Sequence, residues 1–199
     1  MKIERIVCGS LEANCYIIYR KDGGAAYIID PGYDLKRTQD FVKAHSLSVK
    51  AILLTHAHPD HAGKAQALAG YFGVEVCAQR EELDHAYCKY SIDRLFEGGE
   101  TLDLDGEIID VLHTPGHSAG GLCYYSKNSR IAFTGDTIFN VDLGYTHFPG
   151  GSPERMKHSL KTVVDKWNDD VTIYPGHGDP ATMKYVRGAN REFLDMIAE

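Results

Sequence analysis

The stretch "LLTHAHPDHAGKA", residues 53–65, places His56, His58, Asp60 and His61 within six positions directly behind an aliphatic run. Imidazole nitrogens and carboxylate oxygens suit Zn, Fe or Mn, and a tetrahedral catalytic zinc takes about three such ligands and leaves one position to water. His56 and His58 are two apart in extended backbone and are expected to point to one side. Asp60 and His61, successive on a helical turn, are expected to diverge, so one pair could serve one metal and the other a second. The segment alone holds too few ligands for two metals.

Three further stretches could complete the shell. "HTPGHSAGG" carries His117, "FTGDTIF" carries Asp136 and "IYPGHGDP" carries His177, each behind an apolar run and a glycine. That is the position of the first cluster as well, the carboxyl end of a strand, where α/β sheets carry their sites. Convergence of all seven residues on one cleft is expected. The other histidines have simpler readings. His45 and His158 fall on helical stretches with charged neighbours, His85 could face Cys88 on a helix, and His113 and His147 read as solvated loop residues that could instead face a substrate.

The elements that must position these residues follow from patterning. "KIERIV", "CYIIY" and "AAYIID" read as strands, the last two joined by "RKDGG", a hairpin signal. "DLKRTQDFVKAHSL" reads as a helix capped by Asp34, and "VKAILLT" as a buried strand. A second helix is predicted to open near Pro59 or Asp60 and run through "HAGKAQALAGYF", followed by a strand at "VEVCA" and a helix at "EELDHAYCK". Residues 100–133 are broken by turn residues and read as antiparallel strands. "SPERMKHSLKTVVDKW" is a helix with a Ser-Pro opening, "VTIYPG" a strand, and the last 20 or so residues helical. Two β-rich halves with helices must bury both faces of each sheet, and two packed sheets covered by helices would do so.

Composition bounds the function. The 199 residues suit one domain over 1–199, and 43% hydrophobic with 25% charged residues is ordinary for a globular chain. The net charge of −7, with no Lys/Arg cluster, argues against nucleic acid as a partner. Five scattered cysteines without a CxxC pair argue against a disulfide framework and a thiolate zinc site. No segment has the length and apolarity of a signal peptide's core or a membrane span, so a cytoplasmic protein with no membrane partner is expected. Oligomeric state is not legible.

As an ordered set, "NCYII", "IIDPG", "THAHPDHAGKA", "HTPGHSAGGLCYY", "FTGDTIF" and "YPGHG" resemble the metallo-β-lactamase superfamily, and within it the short glyoxalase II-like hydrolases. The resemblance implies an α+β four-layer αββα sandwich with two divalent metals at the edge of the sheets, zinc expected and iron or manganese possible. By motif, His56, His58 and His117 would hold one metal, Asp60, His61 and His177 the other, and Asp136 would bridge them. Asp30 would lie behind the ligands. Attack by a metal-bridging hydroxide on a small-molecule thioester such as S-lactoylglutathione is the implied reaction, with Asp60 orienting the water and accepting its proton. A lactonase or other ester hydrolase on the same site, or an iron-dependent persulfide dioxygenase-like oxidoreductase, are the alternatives.

Two departures from the resemblance bear on substrate. The family's β-lactamases lack the bridging aspartate, so Asp136 argues against antibiotics as the main substrate. Full-length glyoxalase II resembles this chain only in its metal domain and continues into a helical glutathione-binding domain, whereas 22 residues follow His177, so no separate C-terminal domain is expected; and where the short relatives often read "GRTDFPGG" this chain reads "GYTHFPGG", with Tyr145 and His147 in place of Arg and Asp.

Overall fold

The computed structural model describes residues 1–84 and 90–198. One sheet has the order β1 (Lys2–Cys8), β2 (Ala13–Tyr19), β3 (Ala25–Ile29), β4 (Ser48–Leu53), β5 (Glu75–Gln79) and β6 (Arg94–Phe96). Its first three strands are antiparallel; β3 to β6 are parallel. The second sheet contains β7 (Thr101–Leu104), β8 (Glu107–His113), β9 (Leu122–Ser126), β10 (Ile131–Gly135), β11 (Thr172–Pro175) and β12 (Ala181–Thr182), adjacent in that order. All its pairings are antiparallel except β10 with β11.

The burial pattern makes four layers. Every residue of β2 is buried, as expected of a strand covered on both faces. Cys15, Ile17 and Tyr19 join an outer cluster with Val42 of α1 (Leu35–Ala44) and Leu68 of α3 (Ala65–Phe72), while Tyr16 and Ile18 point inward. There they meet Leu53, Phe96, Val111, Tyr124 and Phe133 in the layer between the sheets. Ala132 and Ile173 face the other way, onto Met156 and Leu160 of α4 (Pro153–Thr162), Val186 of α5 (Met183–Ala189) and Phe193 of α6 (Arg191–Ala198). This is the expected αββα sandwich.

The sequence reading needs three adjustments. The helix predicted from Pro59 through Phe72 is two, α2 (Pro59–Ala62) and α3, because the Pro31 carbonyl takes the Lys64 N–H at 2.9 Å and the chain turns at Gly63. Of "EELDHAYCK", the described part belongs to a 3-10 turn, Arg80–Asp84; His85 and Cys88 lie outside the described residues. The C-terminal stretch is two helices divided at Asn190, behind the short strand β12. Asp34 and Ser152 cap α1 and α4 as predicted, accepting the N–H groups of Arg37 and Arg155. Among the described residues no helix is long and apolar enough to cross a membrane.

Side-chain hydrogen bonds join the sheets, among them one beneath the strand ends that carry the histidines. The fully buried Tyr124 hydroxyl donates to the Leu54 carbonyl at 2.7 Å, just ahead of the histidine-rich turn. Tyr124→Phe should lower stability by about 1–2 kcal/mol, since it leaves that buried carbonyl without its donor. Urea denaturation of both forms measures it, with an unchanged midpoint contradicting the role.

Candidate metal centre

The cluster lies where β4, β8, β10 and β11 end. His56 and His58 leave β4 in extended backbone, Asp60 and His61 sit in the first turn of α2, His117 lies in the loop after β8, Asp136 directly follows β10 and His177 follows β11. All seven come together. Asp60 and His61 do not diverge: the Asp60 Oδ2 is 3.5 Å from the His61 Nε2. Cα–Cβ bonds lean toward a helix N-terminus, so successive residues in a first turn can both reach a point beyond it.

The donor atoms form two groups, His56 with His58 and His117, and Asp60 with His61 and His177. In the second group the three separations are 3.2 Å (His61 to His177), 3.3 Å (Asp60 to His177) and 3.5 Å (Asp60 to His61). Ligand atoms about 2.0–2.1 Å from a tetrahedral ion stand roughly 3.3–3.4 Å apart, so these spacings fit one. In the first group the His58 Nδ1 and His117 Nε2 are 2.9 Å apart. Asp136 stands between the groups, its Oδ2 3.5 Å from the His117 Nε2 and 3.6 Å from the His177 Nε2, its Oδ1 3.4 Å from the His61 Nε2.

Four of the five rings are oriented through their outer nitrogen. His117 Nδ1 donates to the Tyr145 carbonyl at 2.8 Å and His177 Nδ1 to the Leu11 carbonyl at 2.9 Å. His61 Nδ1 donates to the Asp30 carboxylate at 3.1 Å. Thr55 gives its hydroxyl proton to Asp30 at 2.6 Å, so its oxygen accepts from His56 Nδ1 at 3.0 Å. Each partner fixes the tautomer that turns Nε2 inward, the usual arrangement behind metal-ligating histidines. Asp30 is also near enough to group with His56 and His61, but its oxygens are occupied by Thr55 and His61, so it orients rather than ligates.

Two buried atoms test the fit to a cation. His56 Nε2 and Asp136 Oδ1 have no hydrogen-bond partner. A neutral imidazole lone pair and a carboxylate oxygen, both buried and both facing other donors, are costly unless a cation shares them. Burial, reinforced by His61 and His117, pushes His56 well below the usual imidazole range, which keeps that lone pair available. The residues therefore suit divalent metal.

Several supports left little trace in the sequence. Glu82 is 1% exposed and accepts the N–H groups of Ala57 at 2.7 Å and Gly120 at 2.8 Å, tying the His56–His58 turn to the His117 loop. Asn14 donates to the Pro175 and Gly178 carbonyls at 2.9 and 2.8 Å, bracketing His177. Gly176 faces the cluster so closely that a Cβ there would come 2.1 Å from the Asp136 Oδ1. Of the remaining histidines, His113 bonds the Ala119 carbonyl at 3.1 Å away from the cluster, and the exposed His147 stacks edge-on with Tyr145.

Without metal, protons occupy part of the site. Burial works against charge on His61, but Asp136 and then the bond to Asp30 outweigh it and lift the ring to about 9. Burial likewise raises Asp60, yet its bond to His177 and the charge of His61 hold it at about 2, already ionised at neutral pH. Metal must displace the His61 proton, so apparent affinity should rise about tenfold per pH unit from pH 7 toward 9. Calorimetric zinc titration in two buffers of different ionisation enthalpy should detect at least one proton released; none released contradicts this account.

Comparisons with known proteins place this architecture. Residues 9–177 match the model of the metallo-β-lactamase superfamily. The hydroxyacylglutathione hydrolase GloC of Haemophilus influenzae is 34% identical over 206 aligned positions, covering 96% of this chain and 97% of the relative. The B3 metallo-β-lactamase BLEG-1 superposes with a TM-score of 0.86 at 27% identity, covering 96% of this chain and 99% of the other. TTHA1623, solved in a di-iron-bound form, gives 0.83 at 27%, covering 94% and 98%. The chain belongs to the metallo-β-lactamase superfamily, as a metal-dependent hydrolase.

Proposed function

We propose that this protein is a dinuclear thioester hydrolase of the glyoxalase II type. The observation that carries the reading is the seven-residue cluster itself, two sets of three donors with a carboxylate between them at the floor of a cleft of about 480 Å³. The likeness to GloC, along nearly the whole of both chains, supports the choice of bond. His56, His58 and His117 would hold one ion, Asp60, His61 and His177 the other, with Asp136 shared. Zinc suits the nitrogen-rich first set, and the di-iron form of TTHA1623 makes iron the alternative to measure.

When bound, such a pair supplies Lewis-acid polarisation and lowers the pKa of water from about 15.7 toward 7, so no serine or cysteine nucleophile is required. The chain's own residues do the rest. Asp60, 13% exposed at its side chain, has one oxygen facing His61 and His177 and lies on the cleft wall, where it can orient a water and accept its proton. As it would also ligate an ion, whose charge disfavours its protonation, it is an orienting group first and a proton store second. Leu11, Pro59 and Phe148 line the cleft beside the polar cluster and offer apolar contact to a bound acyl group.

A panel of S-lactoylglutathione, other acyl thioesters, lactones, phosphodiesters and β-lactams, run on protein with measured zinc, iron and manganese content, tests the assignment. Thioesters should lead. Lactones leading would favour the ester-hydrolase alternative, and a single iron with persulfide-dependent oxygen uptake would overturn the hydrolase reading. Asp60→Ala should weaken one metal and lower kcat by about 10²–10⁴-fold. Wild-type turnover with one metal lost would sink the dinuclear mechanism.

A further inference from the structure

The mouth of the cleft gathers large apolar side chains that stand in solvent. Leu11 is 63% exposed, Tyr145 57%, Val141 47% and Phe148 43%. The Phe148 ring meets His58 edge-on at 5.7 Å and His117 at 6.0 Å, and Tyr145 packs on Phe148 at 4.9 Å. On the other wall Phe139 stands edge-on to His177 at 6.0 Å. An apolar wall thus runs from the polar cluster out to the surface, the form of a small-molecule site rather than of scattered exposed residues.

Histidines aside, the charged side chains lining this wall are carboxylates. Asp142 lines the cleft, and Glu192 and Asp195 flank the far side of the loop that carries Tyr145. Among the described residues that line the cleft none is Lys or Arg. Arg5 reaches the rim, but its guanidinium is bonded to the Gly178 carbonyl at 3.0 Å and to the Asp179 carboxylate at 2.9 Å. A carboxylate of the thiol half held at this lip, outside the two ions the cluster would hold, would leave water for acidic side chains with no Lys or Arg among the described lining residues to receive it, and like charges brought together at a binding surface disfavour the wrong partner.

We propose that the cleft selects neutral thioesters with an apolar substituent and discriminates against thioesters of anionic thiols such as glutathione and coenzyme A. This rests on the thioesterase reading and narrows it: the reaction stays, while the thiol half changes. Tyr145 is the specificity-determining residue, an uncharged aromatic at the lip with Glu192 and Asp195 on its far side.

The test uses zinc-loaded full-length protein and one acyl group, hexanoyl, on two thiols, neutral N-acetylcysteamine and glutathione. The neutral thioester should be favoured at least about tenfold in kcat/KM, and the preference should shrink as salt rises because screening weakens repulsion of the anion. Tyr145→Arg should move the ratio toward the glutathione thioester. Equal values, or a preference for glutathione at low salt, overturn the inference and leave the thioesterase reading standing. Turnover of neither compound overturns that reading, and the inference with it.

Discussion

Imidazole nitrogens stand 2.9 Å apart between His58 and His117 and 3.2 Å apart between His61 and His177, distances at which neither pair can carry two protons without strong repulsion. Much of the surrounding structure answers that constraint. The outer nitrogens of four rings are bonded to fixed acceptors, so the inner ones present lone pairs. The carboxylates of Asp60 and Asp136 are interleaved among them, so whatever positive charge enters, proton or metal, is shared rather than opposed. Such a cluster would destabilise a protein that never met a cation.

Holding the rings requires strain. Asp30 takes a left-handed backbone conformation at φ 51°, which costs a non-glycine residue about 1–2 kcal/mol. The turn aims its carboxylate at Thr55 and His61, and three hydrogen bonds offset the cost. Asp30 thereby orients two rings, His61 directly and His56 through Thr55, and a residue at the end of β3 acts on ligands more than 25 positions away. The Pro31–Gly32 segment that follows is pressed against α2, which is why the helix breaks at Gly63.

What the sequence disclosed followed its local regularities. The strand runs, the Asp34 and Ser152 caps and the seven candidate ligands were legible because each is a short pattern with its own chemistry. The two-helix break was not, since "HPDHAGKAQALAGYF" has no helix breaker after its opening proline apart from glycine and the cause lies in a packed segment about 30 residues earlier. The convergence of Asp60 and His61 was misread from helical phase alone; side-chain lean and reach in a first turn outweigh the angle between neighbours. Glu82, read only as part of a helical stretch, is a buried clasp, for the donors it accepts from are backbone amides that no spacing rule encodes. Asn14 escaped for the same reason, being a side chain that meets main chain across the sandwich.

Two of the ring anchors are main-chain carbonyls, and they belong to Leu11 and Tyr145, the residues whose side chains form the lip. Position and identity are thus uncoupled at the entrance. Almost any residue offers the carbonyl that steadies His117 or His177, while the side chain is free to vary with what must be admitted. A lineage could exchange substrates by drift at these two sites without passing through an inactive catalyst, and one architecture could so diversify by changing its doorway and sparing its hearth.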